Sequence, residues 1–162
     1  MTTLWNIRNL RLLAESMAST LEVRILTMRL GLFCAKEEKA VVQRDDVLLA
    51  VLMRWEPGER TDFHSHGDSI GVLRVLVGKM HEETWNGERV ETQTLNASDS
   101  SDFAAGDIHR LTCTSAGRTV TLHLYANAPR GLQKMTRYAT DAADALLLIK
   151  GHPTAIDTTT VL

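Results

Sequence analysis

Beyond about residue 40 the chain changes from helical spacing to a period of two, and turn residues cut this alternating part into short pieces. Val47, Leu49, Val51, Met53 and Trp55 share one face of a predicted strand, which Pro57-Gly58 ends. Further strands are expected over residues 63–66 and 70–77, the second closed by Gly78. Asn86-Gly87 separates alternating runs over 79–85 and 88–95 in the manner of a two-residue hairpin turn. Residues 96–102, rich in serine and aspartate, read as a polar loop. Strands follow over 103–113 and 118–125, with a turn at residues 115–117. Many short strands joined by tight turns predict a closed or nearly closed antiparallel barrel, so the fold class is mainly β.

The first 36 residues read differently. Leu4, Ile7 and Leu10, then Leu13 and Met17, recur at helical spacing. Ser19 followed by Glu22 is a capping-box signature for a second helix that carries Val23, Leu26, Leu30 and Phe33 on one stripe. Residues 141–149 suit a short helix before Gly151, although Leu146-Leu147-Leu148-Ile149 suits a strand equally. No repeat or low-complexity linker divides the 162 residues. One domain is expected: a helical lead-in over 1–36, a barrel over about 40–138 and a C-terminal extension over 139–162.

Composition excludes several classes. Hydrophobic residues at 44% and charged residues at 23% are those of a globular chain, not a disordered one. A formal charge of −2 gives no electrostatic footprint for nucleic acid. The longest apolar run, Val47 to Met53, falls far short of the roughly 20 residues a bilayer requires. Asn6, Arg8, Asn9 and Arg11 interrupt any signal-peptide core at the amino end. Cys34 and Cys113 do not make a disulfide framework. A cytoplasmic protein with two reduced thiols is the simplest expectation.

Three of the six histidines stand in a chemically meaningful arrangement. His64 and His66 fall two apart on a predicted strand, so both imidazoles share a face, where neutral rings can bind a first-row metal. Two surface histidines beside a turn would show the same spacing. Gly58 stands six residues before His64, and Gly106-Asp107-Ile108-His109 puts a third histidine just after a turn glycine. This pattern resembles the two motifs of the cupin superfamily over about residues 45–126. The resemblance implies a jelly-roll barrel with a metal in its mouth and the N-terminal helices packed outside. Most metal cupins carry a glutamate four or five residues after the histidine pair, where this chain has Ile70 and Gly71. Three imidazoles without an anionic ligand leave a metal its full charge, which favours an incoming anion such as a thiolate. Zinc or nickel would suit the same nitrogens as iron.

Residues 119–125 sort by alternation into Val120, Leu122 and Leu124 on one face and Thr119, Thr121, His123 and Tyr125 on the other. An arbitrary strand would turn the polar face to solvent. In a barrel that holds a metal, the lumen can be polar while helices cover the apolar face, and Thr121, His123 and Tyr125 would then form a hydrogen-bond relay.

The segments around His64-Ser65-His66, Gly78 to Thr84, Asp107 to Leu111 and Thr121 to Tyr125 together resemble the thiol dioxygenases, the cysteine dioxygenase family. That resemblance implies Fe(II) held by His64, His66 and His109. It implies a relay of Thr121, His123 and Tyr125, with threonine in place of the family's serine. Gly71 stands where animal members carry a cysteine cross-linked to the tyrosine, so no cross-link is expected. The family's carboxylate-binding arginine matches Lys39, with Arg44 as the alternative if the alignment slips; Lys39 beside Glu37 and Glu38 also reads as a solvated charge. Met53 and Trp55 match apolar substrate-pocket positions and equally suit ordinary barrel core. His81, His152 and Arg74 are expected to lie outside the site, with His81 exposed. The implied reaction is oxidation of a small thiol carboxylate, cysteine or one like 3-mercaptopropionate, to its sulfinate by O2. Other metal-dependent cupin enzymes and non-catalytic metal- or small-molecule-binding cupins are the alternatives.

Overall fold

The computed structural model describes residues 5–32, 38–127, 133–138 and 155–161. Two helices lead. Asn6 caps α1 (Ile7–Ala18) by accepting from the Asn9 amide at 2.9 Å, and Leu10, Ala14 and Met17 form its buried stripe. Helix α2 (Leu21–Leu32) buries Val23 and Leu30. Its cap is Thr20 rather than Ser19: the Val23 amide donates to the Thr20 hydroxyl at 3.3 Å, while Ser19 ends α1 and bonds back to the Glu15 carbonyl. Phe33, Leu4 and the expected helix over 141–149 lie outside the described residues.

Eleven strands follow among the described residues: β1 (Lys39–Arg44), β2 (Leu48–Trp55), β3 (Phe63–Ser65), β4 (Ile70–Val77), β5 (Lys79–Trp85), β6 (Val90–Asn96), β7 (Ser100–Phe103), β8 (Ile108–Cys113), β9 (Thr119–Ala126), β10 (Gln133–Tyr138) and β11 (Ala155–Val161). They form two antiparallel sheets, one in the order β1-β2-β9-β4-β7 and the other in the order β11-β10-β3-β8-β5-β6. β11 belongs to the stretch taken from sequence as an extension, and it pairs with β10 along its length. Among the described residues no helix is long and apolar enough to cross a membrane.

The first sheet is buried on both faces at its centre, along β2 and β9, while its edge strand β1 is largely exposed. Leu48, Ala50, Leu52, Val120, Leu122 and Leu124 pack outward beneath Leu10, Ala14, Met17, Val23 and Leu30 of the helices. Leu49, Val51, Phe103 and Tyr125 face inward between the sheets, as do Leu73, Met80, Leu111 and Cys113 further along. At roughly 1.5–3 kcal/mol for each fully buried aliphatic side chain, the helical layer is a main source of the sheet's stability. β9 is therefore hidden over its whole length.

Two expectations about loops are overturned. Residues 96–102 are not all loop: Ser100–Phe103 forms β7, which pairs Gly71 with Phe103 and Leu73 with Ser101 along β4. Polar residues form a strand here because the edge of β4 offers unpaired backbone groups, and alternation still sends Ser101 and Phe103 inward. The polar side chain Asp102 points outward and pairs with Arg11 of α1. Asn86-Gly87 is not a simple two-residue turn either. The last strand pair is Trp85 with Val90, and residues 86–89 connect them. Only Gly87 has a positive φ, +96°, while the Asn86 side chain accepts from the amides of Glu88 and Arg89 at 3.0 Å each.

Candidate metal centre

The histidines are brought together by one short piece of ladder. His64 of β3 lies directly opposite His109 of β8. The chain leaves β3 at Ser65, and His66 keeps the inward face of His64, with ring centroids 4.8 Å apart. Gly106 donates its amide to the Gly67 carbonyl at 2.9 Å, which ties the two histidine-bearing segments to each other. One nitrogen from each of His64, His66 and His109 lies within 4.8 Å of the others, and all three residues are buried.

Hydrogen bonds behind the rings choose which nitrogen faces inward. His64 donates Nδ1–H to the Asp62 carbonyl at 2.9 Å, and His109 donates Nδ1–H to the Glu82 carboxylate at 2.7 Å. Both rings therefore turn Nε2 toward the cluster, where the Nε2 atoms of His66 and His109 are 3.2 Å apart. That contact accommodates a shared proton or a cation equally, and three buried ring nitrogens within 4.8 Å of one another are a donor set that fits a metal ion. The rings' charge state agrees. Burial, reinforced by the neighbouring His109, pushes His64 down to about 3, and burial with its histidine neighbours carries His66 well below the usual range. Both stay neutral and available as ligands at physiological pH. Burial alone would raise the Glu82 carboxyl, but its bond and charge attraction to His109, with bonds from Ser101 and Gln93, hold it below its ordinary value.

Against this cluster lies the inward face of β9. The Thr121 hydroxyl is 2.8 Å from His123 Nε2, and the Tyr125 hydroxyl is 3.1 Å from His123 Nδ1. Trp55 adds a fourth member, donating Nε1–H to Thr121 Oγ1 at 2.8 Å. Accepting from Trp55, the Thr121 hydroxyl keeps its own proton and a second lone pair for His123 Nε2. In the tautomer with the proton on Nδ1, His123 donates to the Tyr125 oxygen and the phenol proton is left for the cavity. Burial, reinforced by the cost of a further positive charge beside His109 and His64, lowers His123 to about 3, and burial raises the Tyr125 phenol. The ring of Tyr125 lies against His66, with centroids 4.9 Å apart.

The cluster lines one cavity of about 220 Å³ together with His123 and Tyr125 of the relay. That is below the roughly 300–1,000 Å³ of pockets for drug-sized ligands, so it suits a small metabolite. Met53 and Trp55 form part of its wall, and Lys39, opposite Met53 in the ladder, stands exposed at its mouth. Arg44 sits at the other end of β1 opposite Leu49 and does not line the cavity. Arg54, not singled out from sequence, does line it and pairs with Glu56 at 3.4 Å.

Other residues at the site also escaped the sequence reading. Glu82 is buried behind His109, and the signal for it was present: alternation puts Met80, Glu82 and Thr84 on one face of β5. Phe103 stacks on His66 with centroids 4.6 Å apart, and it lies so close over Gly71 that a Cβ there would be 2.1 Å from its ring. Glycine at 71 makes room for that ring. His81, expected to be exposed, is partly buried, because β5 runs between β6 and β8 inside the sheet. Arg74 points away from the cavity and bonds to Ser100 at 3.0 Å, as its strand parity predicts. His152 and Cys34 lie outside the described residues.

Solved structures share this architecture. A protein of Bacillus halodurans gives a TM-score of 0.58 at 18% identity, over 70% of this chain and 86% of that one. KdgF from Halomonas sp. gives 0.51 at 17% identity, over 56% and 77% of the two chains. The cupin domain of Schizosaccharomyces pombe Cnp3 gives 0.51 at 11% identity, over 56% and 60%. At such identities the likeness is one of fold, and the fold is that of a cupin barrel. Within that class, the family model described as cysteine dioxygenase type I matches residues 39–140. The chain belongs to this family, and with its buried histidine triad it is a metal-dependent cupin.

Proposed function

We propose that the protein is a thiol dioxygenase: it holds Fe(II) with His64, His66 and His109 and oxidises a small thiol carboxylate to its sulfinate. The reaction balances as RS⁻ + O2 → RSO2⁻, with both oxygen atoms ending on sulfur, which is oxidised as dioxygen is reduced. Ferrous iron bound by the triad would supply the affinity for thiolate sulfur and the oxygen chemistry that the side chains lack.

The observation that carries this reading is the contact of Tyr125 with His66, which puts His123 and Tyr125 of the hydrogen-bonded chain and the histidine cluster in one cavity. Three neutral imidazoles leave the charge at the centre uncompensated by direct ligands, which favours binding of the thiol as its anion. Tyr125, kept protonated by burial, donates a hydrogen bond to the oxygen or substrate atoms beside His66. His123, Thr121 and Trp55 hold that phenol in one orientation. Lys39 at the mouth takes the substrate carboxylate as a point charge, without the fork an arginine offers. Met53 and Trp55 give the carbon chain an apolar wall. We assign the reaction to the cytoplasm, because the two cysteines suit a reducing compartment and Cys113 is a buried free thiol.

Anaerobic loading with iron, followed by oxygen-uptake measurements on cysteine, 3-mercaptopropionate and cysteamine, tests the proposal. Uptake matched by sulfinate, strong for the two carboxylates and weak for cysteamine, is the expected result. Iron-loaded protein that consumes no oxygen with any of the three would overturn it.

A further inference from the structure

Glu82 takes no part in the reaction drawn above, yet it is 2% exposed and its carboxylate lies at the back of the histidine cluster. Oε1 accepts the Nδ1–H of His109 at 2.7 Å. Oε2 accepts from Gln93 Nε2, also at 2.7 Å, and the same Gln93 amide donates to Ser101 at 3.0 Å. Gln93 is the direct ladder partner of Glu82 on β6, whereas Ser101 belongs to β7 of the opposite sheet. Both carboxylate oxygens are thus committed, and the group is held from two strands besides its own. A buried carboxylate anchored this firmly is costly to place unless its charge is used.

We propose that Glu82 is a positioning residue for the metal and that it supplies, one hydrogen bond behind His109, the negative charge that the three-histidine cluster lacks. The bond to Nδ1 fixes the His109 tautomer, directs Nε2 at the cluster and makes that nitrogen a better donor. The carboxylate that other metal cupins place directly on the ion is here moved outward by one imidazole. The cluster keeps a site for an anion while its net positive charge is tempered. Gln93 and Ser101 keep the carboxylate from rotating away. This inference rests on the reading of His64, His66 and His109 as metal ligands.

The test compares the wild type with Glu82→Gln and Gln93→Leu. Zinc affinity is measured against a competing chelator, and cobalt-loaded protein is examined by proton NMR for the exchangeable Nδ1–H of His109. Loss of the carboxylate is expected to weaken zinc binding about 10–100-fold, as for other partners behind metal-bound histidines. It should also shift or broaden away the Nδ1–H resonance, while the melting temperature of the metal-free protein changes little. Gln93→Leu, on the exposed side of the network, should weaken zinc binding in the same direction but less. Zinc affinity within twofold of wild type in Glu82→Gln, with the Nδ1–H resonance in place, overturns the role of Glu82. A variant that is merely unfolded would show itself in the metal-free melt, and unchanged affinity in Gln93→Leu would then count against the network. Wild-type protein that binds neither zinc nor cobalt would instead overturn the ligand assignment on which this inference stands.

Discussion

The two faces of β9 invert the usual arrangement of a sheet. Val120, Leu122 and Leu124 point outward, where an open strand meets water, and are fully buried under α1 and α2. Thr121, His123 and Tyr125 point inward, where an apolar core is the rule, and are equally buried. Burial does not separate the two faces, but their interactions do. The outward face gains from removing apolar area from water. The inward face gains less of that kind, through the Tyr125 ring packed with Leu49, Val51 and Phe103, and its polar atoms are tolerable there because they satisfy one another from Trp55 through Tyr125. One face of the strand makes the barrel stable, and the other gives it chemistry.

If that division holds, substitutions should separate cleanly into those that cost activity and those that cost stability. The largest effect belongs to the cluster. His66→Ala should reduce bound iron to background by elemental analysis and lower sulfinate formation by at least about a hundredfold. Iron retained at wild-type stoichiometry would remove His66 from the ligand set. Next comes the outward face: Leu122→Ala should destabilise the fold by about 2–5 kcal/mol in urea denaturation. The folded fraction should keep its kcat and iron content, and a lost iron site with little change in stability would erase the contrast between the faces. Tyr125→Phe should lower turnover by about tenfold, the worth of one well-placed hydrogen bond, with iron content unchanged. Undiminished turnover would take the phenol out of the mechanism.

Trp55→Phe sharpens the comparison further, since it keeps the wall but removes the donor to Thr121 at the end of the Thr121–His123–Tyr125 chain. Its loss of turnover should be smaller than that of Tyr125→Phe, and an effect seen in KM alone would mark Trp55 as wall only. The smallest effect lies away from both faces. Asp45 accepts from the amides of Val47 and Leu48 at 2.9 and 2.8 Å, and these bonds lower its pKa in the fold. Because the folded value lies below the unfolded one, this contribution is complete above the unfolded pKa of about 3.9 and disappears as pH falls through the folded value. The stability difference between wild type and Asp45→Asn should therefore shrink on acidification, and a gap constant from pH 6 to pH 2 would contradict the assignment.

Much of the site was visible in the order of residues. His64-Ser65-His66 and Gly106 to His109 carry their spacing openly, and the period of two in 119–125 sorts the relay from its apolar backing. Lys39 is legible only through the family resemblance; it is one of the exposed residues lining the cavity, and Arg44 is not among them. Glu82 was hidden among Glu83 and His81, because neighbouring acids look alike until one knows which alternates into the barrel. Glu83 went outward to pair with Arg110 at 2.7 Å, itself stacked over Phe63. β7 was missed for a related reason, with Phe103 read as the start of a strand over 103–113 that in fact breaks at the 104–107 turn: a serine- and aspartate-rich segment has weak strand propensity, and the vacant edge of β4 made a strand of it.

What the sequence determined by itself is local and periodic: where strands alternate, where helices carry a stripe, and which histidines share a face. Such features arise from the geometry of a few consecutive residues. Tertiary structure decided the side of each strand that lies within the barrel, the carboxylate that stands behind His109, and the ring that fills the space above Gly71. Those outcomes depend on pairings between segments far apart in the chain, where the covering helices and open sheet edges outweigh any preference that a short stretch of residues carries alone.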